Sequence, residues 1–169
     1  GATVPFMRPA NLAADTIQSL PVILHALKYM ERDNGFLYDA VVMLQPTTPL
    51  RRSKDIDNAL ELLFSSNSDS VISVVDVGAN HPLRMKRIID GRLINYIDQG
   101  HEDMRPRQEL PSVYIRNGAI YAVSRQTLIN SENFSGADSM AYEMPYHRSI
   151  NIDEISDLIL AKEYLENYS

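Results

Sequence analysis

The chain has 169 residues, enough for one domain with its own hydrophobic core. Its 16 basic and 22 acidic residues give a formal net charge of −6, which disfavours nucleic-acid binding. It contains no cysteine, which excludes disulfides and thiolate metal sites. No apolar run reaches the roughly 20 residues of a membrane span, and the first residues lack the pattern of a signal peptide. We therefore expect a cytoplasmic protein without a membrane partner.

Hydrophobic periodicity predicts alternating helices and strands in the first half of the chain. Apolar residues recur every three or four positions where helices are expected, and β-branched runs mark buried strands. The predicted elements are a helix from about Ser19 to Arg32, a strand over 39–44, a helix capped by Ser53 that ends at 65–67, and a strand over 70–77. Because a helix connects the two strands, a right-handed crossover and a parallel sheet are expected.

Residues 78–112 differ in character from the rest of the chain. Glycine, proline and charged residues interrupt two short strand-like segments joined by an Asp90-Gly91 turn, a pattern typical of a β-hairpin. The later predicted elements are a strand over 114–124, a helix over 127–129, a strand over 140–144, and a helix over 153–167 with Ile155, Leu158, Ile159 and Leu165 facing inward. The prediction is a single three-layer, Rossmann-like α/β domain over residues 1–169, with a mostly parallel sheet and an extended arm.

The most informative segment follows the first predicted strand. The apolar run ends at Gln45-Pro46-Thr47-Thr48-Pro49, and its two prolines make this loop stiff. Open α/β sheets bind ligands at the carboxyl ends of their strands. The amide and hydroxyl groups of this loop can contact a base or a sugar, and a rigid surface loop without a ligand is the alternative.

Three further polar segments can be explained with or without a ligand. Arg107 and the arginine two positions before it can bind a carboxylate or phosphate, or pair with nearby acids. Asn117-Gly118 interrupts a predicted strand, either as a bulge or as a point of close approach to a ligand. Asn151 and Asp153 precede the final helix, where Asp153 can cap the helix or bind Mg²⁺.

No motif of a nucleophilic hydrolase or a dinucleotide-binding protein is present. The four histidines have no metal-binding spacing, and neither a Walker loop nor a Rossmann glycine loop occurs. Those classes of protein have little support from the sequence.

The polar segments, in their order, resemble those of the acylneuraminate cytidylyltransferases, also called CMP-sialic acid synthetases. The resembling segments are residues 4–9 (VPFMRP), 44–51 (LQPTTPLR), 107–111 (RQELP), 117–121 (NGAIY) and 150–153 (INID) followed by Asp157. Together they span nearly the whole chain. The resemblance implies a nucleotidyltransferase that uses Mg²⁺ to transfer CMP from CTP to a sialic acid or related nonulosonic acid, a 2-keto acid sugar, and releases pyrophosphate.

The resemblance also implies roles for individual residues. Asp153 and Arg107 are expected to be catalytic, and Asp153 and Asn151 to bind Mg²⁺. The expected substrate-binding residues are Gln45, Thr47, Lys86 (with Arg84 as its alternative), Arg107, Asn117, Tyr121 and Phe134. Residues 78–112 are expected to be a dimerisation arm, which implies a homodimer.

The chain departs from the family pattern in two places. Asn151 stands where the family often has an aspartate, which predicts a weaker metal site. The family also begins with a strand and a basic, glycine-containing loop that binds the triphosphate, and nothing in this sequence matches that loop. We therefore expect an N-terminally truncated domain that is inactive alone and regains pyrophosphate release when about one βα unit is restored upstream.

Two alternatives remain open. One is a cytidylyltransferase for an eight-carbon keto-deoxy sugar, which would differ in the size of the pocket around Phe134 and Tyr121. The other is a non-catalytic sugar-binding or dimerisation module that has lost the nucleotide loop.

Overall fold

The computed structural model describes residues 2–14, 16–131 and 133–168. The helices and strands are α1 (Ser19–Asn34), β1 (Ala40–Met43), α2 (Ser53–Ser66), β2 (Ser70–Asp76), β3 (Lys86–Ile89), β4 (Arg92–Asn95), β5 (Tyr114–Ser124), α3 (Arg125–Asn130), β6 (Ser139–Glu143) and α4 (Ile155–Tyr168). The predicted order of helices and strands is confirmed. Several boundaries differ by one or two residues; for example, Ser53 is the first residue of α2 and not its cap, and α4 begins two residues after Asp153.

The four-stranded sheet has the strand order β1-β5-β2-β6. β5 lies between β1 and β2 and is antiparallel to both, whereas β2 and β6 are parallel. Although β1, β2 and β6 run in one direction, two of the three strand pairings in this sheet are antiparallel, so the prediction of a mostly parallel sheet is wrong. The predicted α/β class is confirmed. The long β5 lies between β1 and β2, so these two strands have the same direction without pairing with each other.

Helices cover both faces of this sheet. On one face, Ala59 and Leu63 of α2 pack with Ala122 of β5. On the other face, Leu27 of α1 packs with Val123 of β5 and with α3. Consecutive residues of a strand point to opposite faces, so Ala122 and Val123 divide the core into its two layers. The predicted three-layer arrangement is confirmed.

The last helix packs through a different face from the one predicted. Its expected inward residues are instead exposed: Ile155 by 80%, Leu158 by 56%, Ile159 by 66% and Leu165 by 58%. Leu160, Ala161 and Tyr164 pack against Leu50 and Ile150. The prediction was wrong because α4 carries apolar residues on two sides, and periodicity alone does not select between them.

β3 and β4 form the predicted hairpin, which pairs with no strand of the main sheet among the described residues. Its turn residues, Asp90 and Gly91, both have positive φ angles, as a tight hairpin turn requires. The cross-strand pair Ile88 and Leu93 is 78% and 70% exposed. No described helix is both long and apolar enough to span a bilayer.

Candidate ligand-binding site

Two cavities adjoin at the carboxyl end of β1, and together we call them the shared site. The Asn151 cavity, of about 450 Å³, is also lined by Asn117. The Phe134 cavity, of about 350 Å³, is also lined by Met43 of β1. Gln45, Arg116 and Tyr121 line both cavities. The position at a strand end agrees with where α/β sheets bind ligands.

The loop after β1 is held by its own hydrogen bonds. The carbonyl of Gln45 accepts from the N–H of Thr48 (3.3 Å) and from Nη1 of Arg51 (2.8 Å). Nη1 of Arg51 also donates to the carbonyl and to the hydroxyl of Thr48, both at 2.7 Å. Burial lowers the pKa of Arg51. These bonds fix the backbone of the loop, while the side-chain amide of Gln45 has no hydrogen-bond partner among the described residues.

Gly118 allows the amide of Gln45 to lie against β5. Gly118 has a φ of +77°, and a Cβ there would stand 2.3 Å from Oε1 of Gln45. The pairing of β5 with β2 shifts register at this point, between Ile72 and Val74. Asn117-Gly118 is therefore a bulge, and the group that approaches its backbone closely is the side chain of Gln45.

Asn117 lies in the wall of the site and is only 5% exposed. Its Oδ1 accepts from the hydroxyl of Ser73 (2.6 Å) and the N–H of Ala119 (3.1 Å), and its Nδ2 donates to the hydroxyl of Ser149 (2.9 Å). Asn117 thus ties β5 to β2 and to the segment before α4, which fixes the shape of the Asn151 cavity.

The first turn of α4 is capped by Asp157. Its Oδ2 accepts from the N–H groups of Asp153 (3.0 Å) and Glu154 (2.9 Å). A carboxylate that binds free N–H groups at a helix start is the expected capping chemistry. The carboxylate of Asp153 is therefore not needed as the cap and lies exposed, bonded to Nδ2 of Asn151 at 2.6 Å.

The side-chain oxygen of Asn151 has an unusual environment. Oδ1 is buried and has no hydrogen-bond partner among the described residues, while Nδ2 donates to Asp153. A buried polar atom without a partner is costly, and a hard cation is one group that satisfies an amide oxygen. No group of three or more acidic, histidine or cysteine side chains suited to a metal occurs in the described chain. The residues present still fit Mg²⁺, which often takes one or two protein oxygens together with phosphate oxygens and water.

A buried ion pair supports the segment that carries Asn151. Asp55 of α2 is 2% exposed, and its carboxylate accepts from Nη1 of Arg148 at 2.7 and 2.9 Å. The hydroxyl of Tyr142 donates to the same carboxylate at 3.0 Å, and burial raises the pKa of Tyr142. These contacts join α2 to the chain just before the site.

Four of the predicted site residues do not line the shared site: Arg107, Lys86, Thr47 and Asp153. Arg107 lines a separate cavity of about 350 Å³, with its Nη2 3.9 Å from the carboxylate of Asp76. Lys86 lies on the hairpin and pairs with Glu102. Thr47 contributes its carbonyl, which accepts from the N–H of the residue before Asp153 at 2.8 Å. The structure brings together Gln45, Asn117, Tyr121, Phe134 and Asn151, with Asp153 bonded to Asn151.

Arg116, which lines both cavities, was not among the predicted site residues. A signal existed, because an arginine directly before Asn117 interrupts an otherwise apolar strand. The ion pair of Asp55 and Arg148 was not predicted either, because nothing in the sequence around each residue connects the two.

A larger cavity, of about 660 Å³, lies at the other end of the strands. Two of its charged groups, Asp69 and Arg125, are already bonded within the fold. The carboxylate of Asp69 accepts from the N–H of Ala137 (2.7 Å) and the hydroxyl of Thr127 (2.9 Å), and Arg125 pairs with Glu31 at 2.5 Å. These groups stabilise the fold, so the smaller shared site is the stronger candidate for ligand binding.

Comparisons with known proteins bear on the family resemblance. No protein-family model matches the chain. The chain is 31% identical over 156 residues to an N-acylneuraminate cytidylyltransferase of Streptococcus agalactiae, covering 90% of this chain and 35% of that protein. It is 27% identical over 157 residues to the post-translational flagellin modification protein B of Campylobacter coli, covering 93% and 66%. It is 28% identical over 174 residues to the CMP-N,N'-diacetyllegionaminic acid synthase of Legionella pneumophila, covering 98% and 70%. The chain thus spans from 35% to 70% of the length of these relatives, and the resemblance to cytidylyltransferases of nonulosonic acids is confirmed.

Proposed function

We propose that this chain, which resembles the acylneuraminate cytidylyltransferases, is a nucleotidyltransferase domain that transfers CMP from CTP to a sialic acid or related nonulosonic acid. The observation that carries the proposal is the shared site itself. Gln45, Asn117, Tyr121 and Asn151 belong to three separate segments of the family pattern, and they line adjoining cavities at one edge of the sheet. The names of the relatives supply the substrate class.

The proposed reaction is an in-line substitution at phosphorus. The anomeric hydroxyl of the sugar attacks the α-phosphorus of CTP, and the bond to the β-phosphate oxygen breaks as pyrophosphate leaves with its electron pair. A reaction of this kind depends mainly on positioning and on neutralising charge. The uncommitted amide of Gln45 and hydroxyl of Tyr121 supply directional hydrogen bonds. Phe134, whose ring centre lies 6.3 Å from that of Tyr121, supplies an apolar wall.

Asn151 and Asp153 are the residues that we propose to hold Mg²⁺. The support is the orphaned Oδ1 of Asn151 and the exposed carboxylate bonded to the same side chain. When bound, Mg²⁺ would neutralise the negative charge that develops on the phosphate oxygens. We propose that Arg107, which lies in a neighbouring loop, binds the carboxylate of the sugar or a phosphate. Its side chain is 62% exposed and therefore open to a ligand.

We also propose that the protein is a homodimer assembled through residues 78–112. The support is the exposed apolar pair Ile88 and Leu93, on a hairpin that pairs with no other strand of the described chain. Lys86 would then reach the site of the partner. We place the reaction in the cytoplasm, because CTP is a cytoplasmic nucleotide.

A thermal-shift experiment tests the proposal on the chain as it exists. With Mg²⁺ present, CMP-N-acetylneuraminic acid at about 100 times its dissociation constant should stabilise the protein by about 2.7 kcal/mol, which corresponds to roughly 5–10 °C. AMP serves as the control ligand. CTP should give no shift, because this sequence has no match to the triphosphate loop.

Each ligand pattern has a distinct meaning. A shift with the CMP-sugar and its loss in Gln45→Ala would support the cytidylyltransferase. Shifts of equal size with AMP and CMP would contradict recognition of cytidine. No shift with any nucleotide would favour the non-catalytic module instead. For a protein that includes the upstream βα unit, pyrophosphate release from CTP that depends on a nonulosonic acid is the decisive assay.

A further inference from the structure

Arg116 has an uncommitted charge in the shared site. Its side chain is exposed and lines both the Asn151 cavity and the Phe134 cavity. Among the described residues, no hydrogen bond or ion pair holds its guanidinium group. Other arginines near the site are engaged: Arg51 donates to backbone carbonyls, and Arg148 pairs with Asp55. The guanidinium group of Arg116 therefore contributes no hydrogen bond or ion pair to the described part of the fold.

The bulge in β5 explains how Arg116 enters the site. Tyr121 pairs with Ile72 and Arg116 pairs with Val74. Ile72 and Val74 are two positions apart on β2, so they face the same side of the sheet. Their partners on β5 are five positions apart, a spacing that would place them on opposite sides of a regular strand. The extra residues of the bulge reverse this alternation and bring Arg116 and Tyr121 to one face.

The surroundings of Arg116 suit an oxyanion. Among the described residues that line the shared site, Arg116 is the only cationic side chain, although the whole chain carries a net charge of −6. Asp157, the acid in the same lining, is engaged with the N–H groups at the start of α4. The side chains of Gln45 and Tyr121 line both cavities together with Arg116, and they have no hydrogen-bond partner among the described residues. A guanidinium fork with neutral donors beside it is the arrangement that binds carboxylates and phosphates.

We propose that Arg116 binds an anionic group of the ligand at the junction of the two cavities. The shared chemistry is an oxyanion, which comes either from the carboxylate of the 2-keto acid sugar or from the phosphate of CMP. This inference rests on the proposed function and adds a specificity-determining residue to it.

The test compares Arg116→Gln and Arg116→Lys with Lys28→Gln. Lys28 is exposed on α1 outside the shared site, so its substitution matches the change in charge. Isothermal titration with N-acetylneuraminic acid, its methyl ester and CMP measures the affinities. Loss of a charge-assisted hydrogen bond should weaken binding of the oxyanion donor by about 10- to 100-fold in Arg116→Gln, and less in Arg116→Lys, which keeps the charge but not the fork. Because the guanidinium group of Arg116 has no hydrogen bond or ion pair among the described residues, the melting temperature should stay at the wild-type value.

The carboxylate of the sugar and the phosphate of CMP would give different patterns of affinity, and either pattern supports the inference. Weaker binding of the sugar acid, with unchanged binding of its ester and of CMP, identifies the carboxylate. Weaker binding of CMP, with unchanged binding of the sugar acid, identifies the phosphate. If Arg116→Gln binds all three ligands as Lys28→Gln does, the inference is overturned while the proposed function stands. If the wild-type protein binds none of the three ligands, and no CMP-sugar, the proposed function and the inference both fail.

Discussion

Gly118→Ala should separate the function of the shared site from the stability of the fold. A methyl group at this position would stand 2.3 Å from Oε1 of Gln45 and 3.5 Å from Cγ2 of Thr48. The second distance is an ordinary contact, whereas the first is not possible. The amide of Gln45 must therefore leave its position in the site.

The magnitude follows from two separate costs. Alanine at a φ of +77° should lower the free energy of unfolding by about 1–2 kcal/mol, because the left-handed region is strained for any residue with a Cβ. Moving Gln45 adds little to this value, since its amide is the end of a flexible side chain. Displacing the amide by about 1 Å or more is expected to weaken function by up to about 100-fold, because polar contacts depend steeply on geometry.

Gly35→Ala is the matched control. Gly35 ends α1 with a φ of +73°, and a Cβ there would have no atom within 4 Å. Both variants should therefore lose similar stability in urea denaturation. Only Gly118→Ala should lose affinity for CMP-N-acetylneuraminic acid in isothermal titration. Equal affinities in the two variants would refute the positioning of Gln45 by Gly118.

Three further predictions concern Asp55, Asp69 and Asn151. Asp55→Asn should lower the free energy of unfolding by about 3–5 kcal/mol in urea denaturation, because it leaves Arg148 half-buried without its carboxylate partner; a loss below about 1 kcal/mol would contradict this. Hydrogen bonds from two backbone N–H groups lower the pKa of Asp69. The Asp69 carboxylate therefore stabilises the folded protein fully above the ordinary carboxyl pKa of about 4, and this stabilisation is lost as pH falls through the folded-state pKa. The stability difference between wild type and Asp69→Asn should shrink as denaturation is repeated at lower pH, and a constant difference would rule this out. Asn151→Asp should increase the rise in melting temperature that Mg²⁺ gives in the presence of CMP, because it adds a carboxylate beside Asp153; an unchanged rise would argue against a metal there.

The elements of this fold were predictable because each is encoded locally. The apolar stripe of α2, for example, recurs at helical spacing, and Ala59 and Leu63 are buried as that spacing requires. The neighbours of each strand were not predictable in this way. The place of β5 between β1 and β2 depends on pairings between residues 38 to 84 positions apart, such as Val42 with Ala122. These pairings leave no signal in the sequence of either segment.

The same distinction holds within the shared site. Gln45, Tyr121 and Asn151 were found because each belongs to a recognisable segment with unusual polar residues. Arg116 was missed because its face depends on how many residues the bulge adds to β5. The sequence signals a bulge through Asn117-Gly118, but it does not give that number, and one residue more or less would turn Arg116 away from the site.

The site combines fixed and uncommitted polar groups, and this division determines which ligands it can bind. Asn117 and Thr48 are held by hydrogen bonds within the protein, whereas the side chains of Gln45, Arg116 and Tyr121 have none among the described residues. Immobilising a flexible side chain on binding costs about 0.5–1.5 kcal/mol. New contacts between a ligand and the side chains of Gln45 and Arg116 must therefore contribute more than about 1–3 kcal/mol before they increase the affinity for that ligand. Only hydrogen bonds to an amide and to a guanidinium group can do so, and an apolar ligand of the same shape would leave both groups desolvated and unpaired. A polar, anionic ligand is thus the one that this arrangement favours.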